Sequence, residues 1–148
     1  MKAVIQRVRS ASVVVADEKI SEIKTGLLIL FGVAAEDADK DIDYLVQKTA
    51  GLRIFKDENQ KMNLNIKDVD GEALVVSQFT LFADTRKGRR PSFLCAANPK
   101  MAENMYLKYC ERLKLLDIPV SMGKFGHMMD VKLVNDGPVT IIIDSQTL

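Results

Sequence analysis

The sequence predicts a single mixed α/β domain, and three observations carry that expectation. A chain of 148 residues, 47% of them hydrophobic, can bury roughly two thirds of its unfolded surface around one core. Its apolar spacing switches from segment to segment between two, the period of a strand, and about 3.6, the period of a helix. No linker, internal repeat or low-complexity stretch divides the chain, so one domain is expected to span residues 1–148.

Residues 3–8 and 12–15 are rich in β-branched side chains and read as two strands, followed by a turn at Asp17, Glu18 and Lys19. Residues 26–33 read as a buried strand. A first helix comes next: Asp37 or Asp39 caps it, acidic residues crowd its first turn where the macrodipole favours them, and Ile42, Leu45, Val46 and Thr49 share one face before Gly51. Residues 53–55 and 62–66 flank Asp57, Glu58 and Asn59 as a hairpin, and residues 73–79 form the clearest central strand. Asn98 as N-cap and Pro99 in the first turn open a second helix, whose stripe is Ala102, Met105, Tyr106, Tyr109, Leu113 and Leu116. Strand returns from Val120. Residues 130–134 and 139–143 are β-rich and are joined through the turn residues Asn135, Asp136, Gly137 and Pro138.

Several function classes fall away. The 21 basic residues balance 20 acidic ones, which excludes the strongly basic footprint of a DNA-coating protein and makes any nucleic-acid contact local. The longest apolar run, residues 26–35, is about half the length of a membrane span, and the N-terminus lacks a secretory apolar region, so a soluble, cytoplasmic protein is expected, with no membrane partner. Cys95 and Cys110 are isolated from each other and from any histidine, so neither zinc nor a disulfide is expected and both read as packing residues. A Ser-His-Asp or Cys-His mechanism needs an imidazole, and the chain has only His127, which lacks a nucleophile-elbow context and reads as a surface or packing residue. Asp41 and Asp43 read as a solvated helix start rather than a catalytic dyad. No glycine-rich phosphate loop is present, and no cofactor or metal is expected.

Three segments remain. In residues 75–84 the polar groups Ser77, Gln78 and Thr80 interrupt an apolar strand near its end, either to satisfy neighbouring backbone or to border an acyl site whose backbone N–H groups stabilise an oxyanion. Directly after it, Arg86, Lys87, Arg89 and Arg90 place four cations in five positions, either as a solvated loop or as a local site for RNA phosphates. The third is Asn135-Asp136-Gly137-Pro138, a hairpin connection or a rigid turn built on a cis peptide bond.

Taken in order, Ser77-Gln78-Phe79-Thr80, Arg90-Pro91-Ser92-Phe93 and residues 133–140 resemble the characteristic blocks of the bacterial-type D-aminoacyl-tRNA deacylases. Residues 5–8, 51–55 and 61–65 are similar to that family's pattern too, so the resemblance covers essentially the whole chain. It implies a mixed, largely antiparallel sheet or open barrel with two main helices packed on it. It also implies a homodimer with active sites at the subunit interface, and hydrolysis of the ester joining a D-amino acid, or glycine, to the 3′ end of mischarged tRNA. By the same resemblance Ser77, Gln78, Phe79 and Thr80 form the catalytic wall, and Ala102, Phe125 and Met129 shape the pocket. A cis Gly137–Pro138, with Asn135 in the same turn, enters from the partner and excludes L side chains. The backbone donors at Gln78 and Phe79, with the terminal 2′-hydroxyl of the tRNA directing water, are expected to do the chemistry in preference to Thr80 as nucleophile. The family commonly carries a small residue where this chain has His127, which argues against an imidazole in catalysis and leaves His127 either a contact to the RNA or a structural residue. Two other readings stay open: a non-catalytic RNA-binding module using the 86–90 loop, and an ester or amide hydrolase acting on substrates without tRNA.

Overall fold

In the computed structural model, which describes residues 1–146, six strands form one mixed sheet. Strand β1 (Lys2–Val15) is its longest inner member, pairing antiparallel with β2 (Glu18–Ile23), β3 (Gly26–Gly32) and β8 (Asp130–Asp144). Strands β6 (Glu72–Ser77) and β7 (Val120–Met122) extend it in parallel beyond β3, while β4 (Phe55–Lys56) and β5 (Met62–Leu64) form a separate ribbon. Helices α1 (Asp39–Gly51) and α2 (Pro99–Lys114) cover one face.

Strand alternation makes two cores from this one sheet. Ala3, Ile5, Leu27, Ile29, Phe31, Ala73 and Val75 point towards the helices and meet Ile42, Leu45, Tyr106, Tyr109 and Leu113. Their neighbours Val8, Leu28, Leu74 and Val76 point the other way, where the sheet curls back so that Ile23 of β2 packs into the same cluster. That curl is the open barrel. Tyr109 stacks on Phe31 with ring centroids 4.3 Å apart, and its hydroxyl meets the Thr49 hydroxyl at 2.8 Å, joining both helices to the sheet.

The structure corrects several expected boundaries. Residues 3–8 and 12–15 belong to one strand: Arg9 and Ser10 are exposed without breaking it, and register shifts opposite β8 absorb the irregularity. The first turn sits at Ala16 and Asp17, both with positive φ, so Glu18 and Lys19 begin β2, a strand hidden by its polar composition. Neither Asp37 nor Asp39 caps α1. Ala38 is the N-cap, its N–H donates to Asp41, and Asp37 instead accepts from the Met1 ammonium at 2.5 Å and the Ala34 N–H. The expected strand 73–79 stops at Ser77, and Phe79–Phe82 form a 3-10 turn. Residues 130–134 and 139–143 do not pair with each other as a hairpin; both lie on β1 in a single strand that runs through Gly137–Pro138. The second helix is capped as expected, with the Asn98 side chain accepting from the Met101 N–H at 3.0 Å.

Candidate active site

Where β6 ends, the chain opens a cavity of about 760 Å³. One wall is the strand end and 3-10 turn, Ser77 to Thr80; another is the approach to α2, including Phe93, Ala96, Ala97, Pro99 and Ala102. The loop after β7 supplies Phe125 to Met129, and Phe31, Val33, Val76 and Val131 complete the lining. Among the described residues, no Asp, Glu, Lys or Arg lines this space. The polar side chains that line it among the described residues are Ser77, Gln78, Thr80 and His127.

The walls hang on one buried strand. Gly123, which starts the 123–129 loop, donates its N–H to the Val75 carbonyl at 2.8 Å, and Tyr106 of α2 donates its phenolic O–H to the same carbonyl at 2.8 Å. The Gln78 N–H donates to the Phe31 carbonyl at 2.8 Å. That bond corrects one expectation, because a committed N–H is no oxyanion donor. The donors that open the 3-10 turn are the N–H groups of Phe79 and Thr80, which such a turn supplies with no carbonyl of its own. Gly32 makes room for this arrangement: a Cβ there would stand 2.9 Å from the Gln78 carbonyl oxygen.

Thr80 Oγ1 accepts a hydrogen bond from the Gln78 side-chain amide. An amide N–H is a donor and cannot take the hydroxyl proton, so the contact orients Thr80 without activating it. Phe79 packs edge-on against Phe93, with centroids 5.0 Å apart and planes at 67°.

The cavity therefore gathers Ser77, Gln78, Phe79, Thr80, Ala102, Phe125 and Met129. Asn135, Gly137 and Pro138 lie off it, at the β1–β8 pairing, and the Gly137–Pro138 bond is cis. Their turn is braced twice. Asn135 accepts from the Val139 N–H at 2.9 Å and donates to its carbonyl at 3.1 Å, while buried Arg7 holds the Asp136 carbonyl at 2.9 Å and its carboxylate at 3.1 Å.

Arg86, Lys87, Arg89 and Arg90 also lie off the lining, on an exposed loop closed by mutual backbone bonds between Asp84 and Ser92. Arg86 is engaged within that loop: its guanidinium and backbone N–H both donate to Asp84, and its side-chain bond holds the Asp84 carboxyl well below the usual carboxylate range. Lys87, Arg89 and Arg90 are left as the outward cations.

Sequence reasoning missed Phe93 and the floor residues Phe31, Val33 and Val76 as parts of the site. Strand residues facing a cavity are written in the same apolar alphabet as those facing a core. For His127 the sequence leaves contact with the RNA open, and its place between Phe125 and Met129 points to the lining that it joins.

The model of the family described as D-Tyr-tRNA(Tyr) deacylase matches residues 4–144. A D-aminoacyl-tRNA deacylase of Desulfatibacillum aliphaticivorans is 56% identical over 146 residues, covering 99% of this chain and 100% of that protein. One from Fusobacterium nucleatum subsp. nucleatum is 53% identical over 146 residues, covering 99% and 97%. Among solved structures, one called c-Myc DNA Unwinding Element Binding Protein superposes with a TM-score of 0.91 at 41% identity, covering 97% of this chain and 98% of that one. Another, described as a probable eukaryotic D-amino acid tRNA deacylase, shares the fold with a TM-score of 0.78 at 17% identity, covering 96% and 97%. With a family model spanning nearly every residue and relatives more than half identical over at least 97% of their length, the chain belongs to the D-Tyr-tRNA(Tyr) deacylase family.

Proposed function

We propose that the protein hydrolyses the ester between a D-amino acid, or glycine, and the 3′ end of tRNA, and so acts as a chiral proofreader of mischarged tRNA in the cytoplasm. The observation that carries this reading is the 3-10 turn at the end of β6, which leaves the N–H groups of Phe79 and Thr80, two residues of the cavity lining, free of partners within the turn. An ester carbonyl seated against them gains negative charge as water attacks, and two preorganised donors stabilise it. Gln78 orients Thr80, and the terminal 2′-hydroxyl of the substrate directs the water. Lys87, Arg89 and Arg90 hold phosphates of the RNA.

The Gly137–Pro138 turn reaches an active site only from a second copy. A homodimer supplies it, and the exposed Leu133, Val134 and Ile142 on β8, whose outer edge pairs with no strand among the described residues, offer the apolar surface for such a contact. A rigid turn entering the cavity excludes an L side chain and admits the D enantiomer.

The test is deacylation of matched D- and L-tyrosyl-tRNA by the purified protein, with sedimentation of the same sample. Rapid loss of the D ester, a spared L ester and a dimeric mass are expected. Salt-sensitive RNA binding without cleavage of either ester would instead favour an RNA-binding module on the 86–90 loop.

A further inference from the structure

We propose that His127 is a substrate-binding residue whose Nε2 accepts a hydrogen bond from a hydroxyl or amino group of the terminal nucleoside of the RNA. The proposal rests on the ester-hydrolase reading above and adds a contact on the opposite side of the reaction from the acyl group. His127 lines the cavity and is solvent-exposed there. Its Nδ1 lies 3.0 Å from the Phe125 carbonyl oxygen. A carbonyl oxygen only accepts, so Nδ1 is the donor in this contact, and the neutral tautomer that the contact selects has its lone pair on Nε2.

The ring is also held in place before any ligand arrives. Gly126 adopts φ of +72°, which turns the chain sharply between Phe125 and His127 and brings the imidazole back over the Phe125 carbonyl. Phe125 is itself anchored, with its ring 6.0 Å from that of buried Tyr106. A side chain already ordered loses little freedom on binding, so its hydrogen bond is reflected more fully in affinity.

The distribution of polar groups assigns the partner. Ser77, Gln78 and Thr80 cluster on the wall where the ester reacts, and His127 is the polar side chain of the other loop. A substrate whose carbonyl sits at the Phe79 and Thr80 N–H groups turns its nucleoside towards the open mouth, where His127 and the 92%-exposed Met128 stand. An acceptor there requires a donor, and the sugar hydroxyl and the base amino group are the donors such a nucleoside offers.

The probe is an amide-linked D-tyrosyl adenosine, which binds without being hydrolysed, titrated calorimetrically into wild type, His127→Ala, His127→Phe and His127→Gln. His127→Ala and His127→Phe are expected to bind about five- to tenfold more weakly, the loss of one hydrogen bond, and His127→Gln, which restores an acceptor near Nε2, to recover most of it. Analogues lacking either the base amino group or the 2′-hydroxyl identify the donor, because removing the correct one weakens wild type but not His127→Ala. With D-tyrosyl-tRNA, His127→Ala should raise KM by a similar factor and leave kcat within about twofold. Equal affinity of wild type and His127→Ala, or a fall in kcat with KM unchanged, overturns the proposal. Binding of the analogue with no cleavage of the D ester would reject the hydrolase reading while leaving His127 to be judged on affinity alone.

Discussion

The phenolic oxygen of Tyr106 lies 2.8 Å from the carbonyl oxygen of Val75, so helix α2 is tied to strand β6 two residues before Ser77. The phenol is 1% exposed at the residue level, and burial raises its pKa far above the ordinary tyrosine value, so it stays a neutral donor at every physiological pH. Tyr106→Phe removes this bond while the Val75 carbonyl keeps the Gly123 N–H. A loss of about 1 kcal/mol in urea denaturation is expected, and an unchanged midpoint would show that the bond adds nothing.

Arg7 is 2% exposed and braces three groups, the Ile54 carbonyl and both the carbonyl and carboxylate of Asp136. Arg7→Leu leaves those acceptors facing an apolar side chain, at a cost of about 2–4 kcal/mol. Because Asp136 immediately precedes Gly137–Pro138, the ratio of D- to L-tyrosyl-tRNA cleavage should fall in the same variant. Full stability together with full discrimination would remove Arg7 from this role.

Thr80→Val deletes a hydroxyl that accepts a hydrogen bond from the Gln78 side-chain amide, a group that cannot act as its base. If water is the nucleophile, single-turnover deacylation should fall by less than about tenfold, since the backbone N–H of residue 80 survives the substitution. Complete loss of turnover with tRNA affinity intact would make Thr80 the nucleophile.

The two cysteines should separate cleanly in a thiol titration. Burial pushes the Cys110 thiol up to about 12, whereas Cys95 is exposed. At pH 8 one thiol per chain should react in the folded protein and the second only on unfolding; Cys95→Ser should abolish the fast phase.

Acid should weaken the fold through Asp57, whose pKa the Lys61 backbone N–H lowers below its ordinary value of 3.8. A carboxylate with a depressed folded-state pKa stabilises above its unfolded pKa, and that stabilisation disappears as pH falls through the folded value. Denaturation midpoints should therefore drop below about pH 4, and Asp57→Asn should flatten that drop. An identical acid profile in the variant would assign the sensitivity elsewhere.

Legibility followed the range of the interactions involved. The start of α2 was readable because its signal is local: Asn98 bonds Met101 three residues on, with Pro99 between. Strand β2 was not, because Glu18, Lys19, Ser21 and Glu22 make a polar edge whose strand character comes only from pairing with residues 11–15 of β1. The continuity of β8 was hidden for the same reason. Asn135 to Pro138 are turn residues by composition, and it is β1, more than a hundred residues away in sequence, that keeps them in line. The strand-end wall of the site was readable from polar groups in an apolar run, and the family resemblance supplied Ala102, Phe125 and Met129. The remaining lining depended on which strand face meets the cavity, a choice made by the curl of the sheet.

The three bonds that converge on the end of β6, from Tyr106 and Gly123 to Val75 and from Gln78 to Phe31, have a further consequence. The end of β6, the start of the 123–129 loop and helix α2 therefore cannot separate without breaking bonds to a buried strand, so this part of the cavity is set when the chain folds. The amides of Gln78 and Gly123 should then exchange with solvent only on the timescale of global unfolding.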